Sequence, residues 1–479
     1  MVFIASGAVL VLEILSLRLV APYVGLTLEV STAVIGCALG AITVGSWIGG
    51  KAADRFPPQR MVGPLLLASG GLVLLVGPLV RWTGDSAGSA TSSVLTTAFA
   101  AVFLPAALLT AVHPMIVKLQ LGALDETGTV VGRLSGIGTG GALAGTFLTG
   151  FVLIGHAPVS RILLALGLAL ILLGALLCVR WISARSGLVG AAVAALGTGA
   201  IAVAPQPCDV ETKYHCAKVL VDASRPSART LQLDTLWHSY VDLEDPLTLK
   251  FAYVRAVAAV VDQVVAAGKP IRALHVGGGG ASIARFLTAS RPGSDNLVYE
   301  IDPGVVQIDR DALGLREENG LKVEVRDGRL GLAAQPDDSR DVVIGDAFGG
   351  VSVPWHLTTR ETIADVARVL TGDGVYVMNV IDYPPLGFAR AELATLATVF
   401  RHVAVISSPS TLAGEGGGNL VLVASQKALP LTAIRSGLRA DVEEYALLDE
   451  GPDLDRFVGD SQVLRDDFAP VDQLLTPRV

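Results

Sequence analysis

Four glycines in a row, Gly277 to Gly280 in the stretch VGGGGAS, follow an apolar strand pattern and allow another molecule to approach the backbone closely. No Gly-Lys-Ser/Thr follows the loop, which disfavours Walker-type phosphate binding. Carboxylates close the strand-like runs that come next. Glu300 and Asp302 end NLVYEID, about twenty residues on, where an acid can take two ribose hydroxyls. Asp327-Gly328 ends LKVEVRD, at the height where the amino group of a base can sit. Asp346 lies in DVVIGDAF at the reacting centre, with Ala347 beside it. Gly277, Gly278, Gly279, Glu300, Asp302, Asp327, Gly328 and Ala347 thus form a candidate nucleoside-binding set, and Asp346 is the candidate catalytic carboxylate.

These residues need a sheet to hold them level. Strand patterns at 272–277, 296–302, 321–327, 341–348, 374–381, 402–408 and 419–425 alternate with helical stretches at 246–267, 303–313, 360–370 and 386–400. That alternation predicts an α/β Rossmann-like, doubly wound domain over 246–479, and such sheets bind ligands beyond the carboxyl ends of their strands. Short β-type runs at 211–242 predict a small antiparallel sheet before it, within a subdomain at 206–245. NAD-binding folds share the glycine loop and the ribose acid. Acids ending the third and fourth strands look more like an AdoMet-type, sulfonium-nucleoside fold.

The first 205 residues are of another kind. A mean hydropathy of +0.57 over the chain, with 17% charged residues, points to membrane spans. Apolar runs near 2–26, 30–50, 61–80, 93–117, 129–154, 160–181 and 186–204 predict a multi-pass α-helical membrane domain of about seven spans. The first run carries Glu13 and Arg18 and reads as a retained span. Their five-residue separation makes a direct pair unfavourable. Basic residues Lys51, Arg55, Arg60, Lys118, Arg133, Arg180 and Arg185 fall on one side, which the positive-inside rule makes cytoplasmic. With seven spans, the strand-rich half emerges on the opposite, extracytoplasmic side. Cys208 and Cys216 can be a disulfide of an oxidising exterior or two thiols of a cytosolic domain. Glycines at four-residue spacing, Gly36/Gly40, Gly45/Gly49, Gly132/Gly136/Gly140 and Gly141/Gly145, suit close helix packing more than a substrate path. Residues 1–204 carry a net charge of +4 and the remainder −12, which together make the −8 of the chain. The acidic half disfavours nucleic acid as a partner and is compatible with cationic ligands.

Several motifs, in order, resemble the spermidine synthase (polyamine aminopropyltransferase) family in its membrane-fused bacterial branch. LEILSLRLVAPYVG and GSWIGGKAADR are similar to the first spans of those fusions. ETKYHCAKV, LQLDTLWHSYVDLEDP, HVGGGGAS, YEIDPGVV, VRDGR, IGDAF and LRDDFAPVDQLL match the soluble part. The resemblance implies transfer of an aminopropyl group from decarboxylated S-adenosylmethionine to a small amine, without a metal, often in a homodimer. It assigns Glu300 to the ribose, Asp327 to the adenine and Asp346 to the amine. His238 stands where the family has Gln, and Tyr253-Val254 where it has Tyr-His, so His238 and Tyr253 are the candidate substrate contacts. Two family acids are replaced by Gly280 and Gly349. The acceptor is therefore expected to differ from putrescine, with Glu244 or Asp245 as conceivable replacement acids and Trp355 and His356 as a conceivable cap. A methyltransferase using S-adenosylmethionine, and a non-catalytic sensor or transport-coupled domain, are the alternative readings.

Overall fold

A computed structural model describes residues 1–24, 28–85, 91–122, 126–181, 195, 199, 208–348, 353–441 and 445–476. The chain divides into two compact units, Met1–Cys216 and Ala217–Val479.

Among the described residues, the first unit holds six helices long and apolar enough to cross a membrane: Val2–Tyr23, Leu28–Arg55, Pro58–Gly84, Val94–Gln120, Thr127–His156 and Val159–Trp181. Each coincides with one of the first six expected spans, because only a helix satisfies its own backbone in an apolar medium. Apart from Ala195 and Gly199, the seventh expected span, 186–204, lies outside the described residues. Small residues let some helices touch. A methyl group on Gly45 or Gly49 would collide with Ala107 and Thr110 or with Ala111, and one on Gly141 or Gly145 with the backbone of Phe3 or Gly7. The expectation of close packing fails for Gly36, Gly132, Gly136 and Gly140, which have open space beside them. They share the four-residue spacing but not a contacting face. Arg18 donates to the Thr212 carbonyl at 3.0 Å. Near the end of this unit lies strand β1 (Val210–Glu211), and Cys208 and Cys216 form a disulfide.

In the second unit, strands β2 (Cys216–Val221), β3 (Ala228–Leu233) and β4 (Leu236–Asp242) run antiparallel. The helix expected from 246 begins only at Ala252. The Asp242 carboxylate accepts from the backbone of Glu244 and Asp245, and that of Asp245 from Leu247. Such turns compete with a helical start.

The main sheet contains β5 (Arg272–Val276), β6 (Asp295–Glu300), β7 (Leu321–Val325), β8 (Arg340–Gly345), β9 (Leu370–Asp382), β10 (His402–Ser407), β11 (Gly418–Ser425) and β12 (Ala446–Leu448). Their order is β12-β10-β11-β9-β8-β5-β6-β7. The chain steps outward from β5 through β6 to β7, then returns to the other side of β5 as β8. That reversal opens a crevice beyond the carboxyl ends of β5 and β8. The parallel register levels those ends: Val276 lies opposite Tyr299 and Gly345, Glu300 opposite Val325, and Gly345 opposite Met378. Beyond β9, strands β11, β10 and β12 join antiparallel. Apolar residues on both faces bury the central strands beneath helices.

Candidate active site

A cavity of about 340 Å³ occupies the crevice, walled by the glycine loop, β4, the start of helix Ala252–Val264 and the ends of β8, β9 and β11. The loop forms one wall. Gly277 has φ +103°, and a methyl group there would lie 2.2 Å from the Asp346 carbonyl oxygen. Gly280 has φ +71°, and a methyl group there would lie 1.8 Å from Ser239 Oγ on β4. Both positions therefore exclude side chains by conformation and by space. An acid at 280 has no room against this β4, which gives Gly280 a physical reason. Gly279 has no atom closer than 3.7 Å to a built methyl group, so the loop faces the cavity there.

Behind the loop, Glu300 accepts from Gly278 N at 2.9 Å with one carboxylate oxygen and from Asp302 N at 2.9 Å with the other. Asp302 is fully buried, and its Oδ1 caps helix Pro303–Asp311 through Gly304 N at 2.9 Å. Asp327 caps the next helix through Leu330 N at 2.9 Å and lies 3.6 Å from His356 Nε2. Gly328 sits against Val276, where a methyl group would be 2.5 Å from its side chain. Glu300, Asp302, Asp327 and Gly328 flank the cavity without lining it, and Ala347 packs against the core beneath. Trp355, His356, Glu244 and Asp245 do not line it either. Gly349 lies outside the described residues.

Asp346, just past β8, is half-buried, and loss of solvent around its carboxyl raises it to about 6. Two hydrogen bonds oppose that rise: Tyr253 Oη donates to Oδ2 at 3.1 Å and Asn379 Nδ2 donates to Oδ1 at 2.9 Å. Asn379 Oδ1 in turn accepts from Asn419 Nδ2 at 3.0 Å. Antiparallel pairing of Asn419 with Ile381 sets Asn379 diagonally across the strands, within side-chain reach. His238 stands edge-on to Phe348 with ring centres 6.4 Å apart, and both line the cavity.

The sequence reading missed Asn379, Asn419, His275 and Asp309. Asn379 had a visible signal, an amide inside the apolar run GVYVMNVI. His275 lies under the loop, 3.2 Å from Asn296 Oδ1, and burial lowers it to about 4, which keeps the ring neutral. Asp309 accepts from Gly280 N at 3.0 and 3.1 Å, and burial together with the Glu300 charge raises it to about 8. It is the loop's second carboxylate anchor, and nothing in its helical context marks it.

No protein-family model matches the chain. The polyamine aminopropyltransferase of Vibrio vulnificus is 28% identical over 246 residues, covering 49% of this chain and 79% of that relative. That of Chromobacterium violaceum is 30% identical over 141 residues, and the match covers 29% of this chain and 53% of the relative, about half its length. Among solved structures, a probable spermidine synthase from Corynebacterium glutamicum superposes with a TM-score of 0.50 at 28% identity, covering 56% of this chain and 98% of its own. The level strand ends, the loop that excludes side chains and these likenesses agree. Through its strand-rich part, the chain is similar to the spermidine synthase family.

Proposed function

We propose that the protein is a membrane-anchored aminopropyltransferase using decarboxylated S-adenosylmethionine and a small amine other than putrescine. The observation that carries this reading is the Asp346 carboxylate, oriented by Tyr253 and Asn379 in a crevice that opens beside the glycine loop. The donor's sulfonium makes the adjoining propyl carbon electrophilic. Attack by the amine nitrogen forms a C–N bond, and the C–S pair returns to sulfur, leaving neutral methylthioadenosine. The ionised Asp346 holds the incoming ammonium and takes the proton it must lose. In this reading the loop from Gly277 to Gly279 admits the nucleoside, Glu300 serves the ribose side with Asp302 supporting it as a helix cap, and Asp327, Gly328 and Ala347 flank the base side. His238 and Tyr253 contact substrate.

Six apolar helices support the anchoring. An extracytoplasmic position of the strand-rich part is our proposal from the basic loops and the disulfide, and it depends on a seventh span. The same disulfide favours a second reading, a non-catalytic module that binds nucleoside or amine outside the cytoplasm. A reporter fused to the C-terminus distinguishes the sides. The decisive assay gives the purified full chain each sulfonium donor with a panel of amines and identifies the nucleoside product by mass. Methylthioadenosine supports the transferase, S-adenosylhomocysteine replaces it with a methyltransferase, and neither product leaves the binding module.

A further inference from the structure

The acceptor side of the cavity has a charge inventory that its donor side does not predict. Asp346 is the only carboxylate lining the cavity among the described residues, and neither lysine nor arginine lines it there. Each of its oxygens already accepts one neutral donor, from Tyr253 and Asn379, which leaves lone pairs for one ammonium. Away from the glycine loop, the part of the wall beside Asp346 at the ends of β9 and β11 includes Asn379, Ile381, Tyr383 and Asn419. The rest is aromatic or apolar apart from His238, with no further acid among the described residues. The hydrogen-bond relay from Asp346 ends in the amide of Asn419, which offers hydrogen bonds but no counter-charge. A second ammonium carried into this wall loses its hydration without gaining a partner, and burying an unpaired charge is strongly unfavourable.

We infer that the acceptor is a monocationic amine: one ammonium on Asp346, and an uncharged, hydrogen-bonding remainder against Asn419, Tyr383 and Ile381. This rests on the transferase reading. Asn419 is then a specificity-determining residue, because its neutrality sets the charge allowed at the acceptor's far end.

The test uses the purified full chain with decarboxylated S-adenosylmethionine and two acceptors of matched length, 4-amino-1-butanol and 1,4-diaminobutane. Methylthioadenosine release gives kcat/KM for each. The expected result is a preference for the amino alcohol of about tenfold or more. In Asn419→Asp, the ratio should move about tenfold toward the diamine, because the new carboxylate supplies the missing partner. A wild-type preference for the diamine overturns the inference and leaves the transferase reading standing. An equal ratio in wild type and a folded Asn419→Asp overturns it as well. Absence of methylthioadenosine with every amine removes the transferase reading and the inference together. If Asn419→Asp does not fold, the wild-type ratio alone decides.

Discussion

Just past β5 the cavity is walled by the glycine loop's main chain; at the ends of β8, β9 and β11 it is walled by side chains. The first wall is Gly277 to Gly279, held from behind by Glu300, while Asp309 holds the adjoining Gly280. The second is Asp346 with Tyr253, Asn379 and Asn419. A main-chain wall is specified by what must be absent, since a Cβ at 277 or 280 has no space. A side-chain wall is specified by which polar groups converge, and it can change its charge without moving the backbone. In the proposed transferase reading the main-chain wall takes the nucleoside and the side-chain wall the acceptor, so the charge of the second can change without altering the first.

The largest effect that would sharpen this contrast is at Asp346. Asp346→Asn should lower kcat about 10²- to 10⁴-fold while donor affinity, measured by calorimetry, stays close to wild type. A parallel loss of donor affinity would mean that the two walls do not work separately. Gly280→Ala attacks the other wall. An L-residue at φ +71° facing Ser239 should cost about 2 kcal/mol or more in thermal unfolding and weaken donor binding. Unchanged donor affinity in this variant would detach the loop from the nucleoside.

Tyr253→Phe should reduce kcat/KM about tenfold by removing one donor to the charged Asp346. It also makes a prediction in pH. The active carboxylate is the ionised form, and burial holds its pKa near 6, so activity should be lost as pH falls through about 6. Removing the tyrosine hydroxyl removes a bond that favours the charged form, which moves this limb to higher pH. A limb that stays in place would assign the titration to another group. The smallest effect concerns Asp302, whose side chain caps a helix. Asp302→Ala should cost about 1 kcal/mol of stability and change donor affinity little. A marked fall in donor affinity instead would restore Asp302 to the ribose side.

Much of the fold was legible because its signals are local. Apolar runs of spanning length become helices wherever the described residues cover them. The seven strand patterns of the main sheet all become strands, since a strand buried on both faces reads as a short apolar run. Other features needed partners from distant parts of the chain. Glycine spacing could not separate Gly45 and Gly49, which meet a neighbouring helix, from Gly132 and Gly136, which meet none. Nor could a motif show that Asp302 turns inward as a cap while Asp346 points into the cavity.

The sequence by itself determined the run of long apolar helices, the α/β half, the run of strands, and the row of glycines and acids that level strand ends would align. It did so because periodicity and backbone conformation depend on neighbours along the chain. Only the tertiary structure decided which acids are free to act. Burial and hydrogen bonding are set by residues far apart in sequence: Tyr253 and Asn379 on Asp346, Asp309 beneath Gly280, and Ser239 against the same glycine.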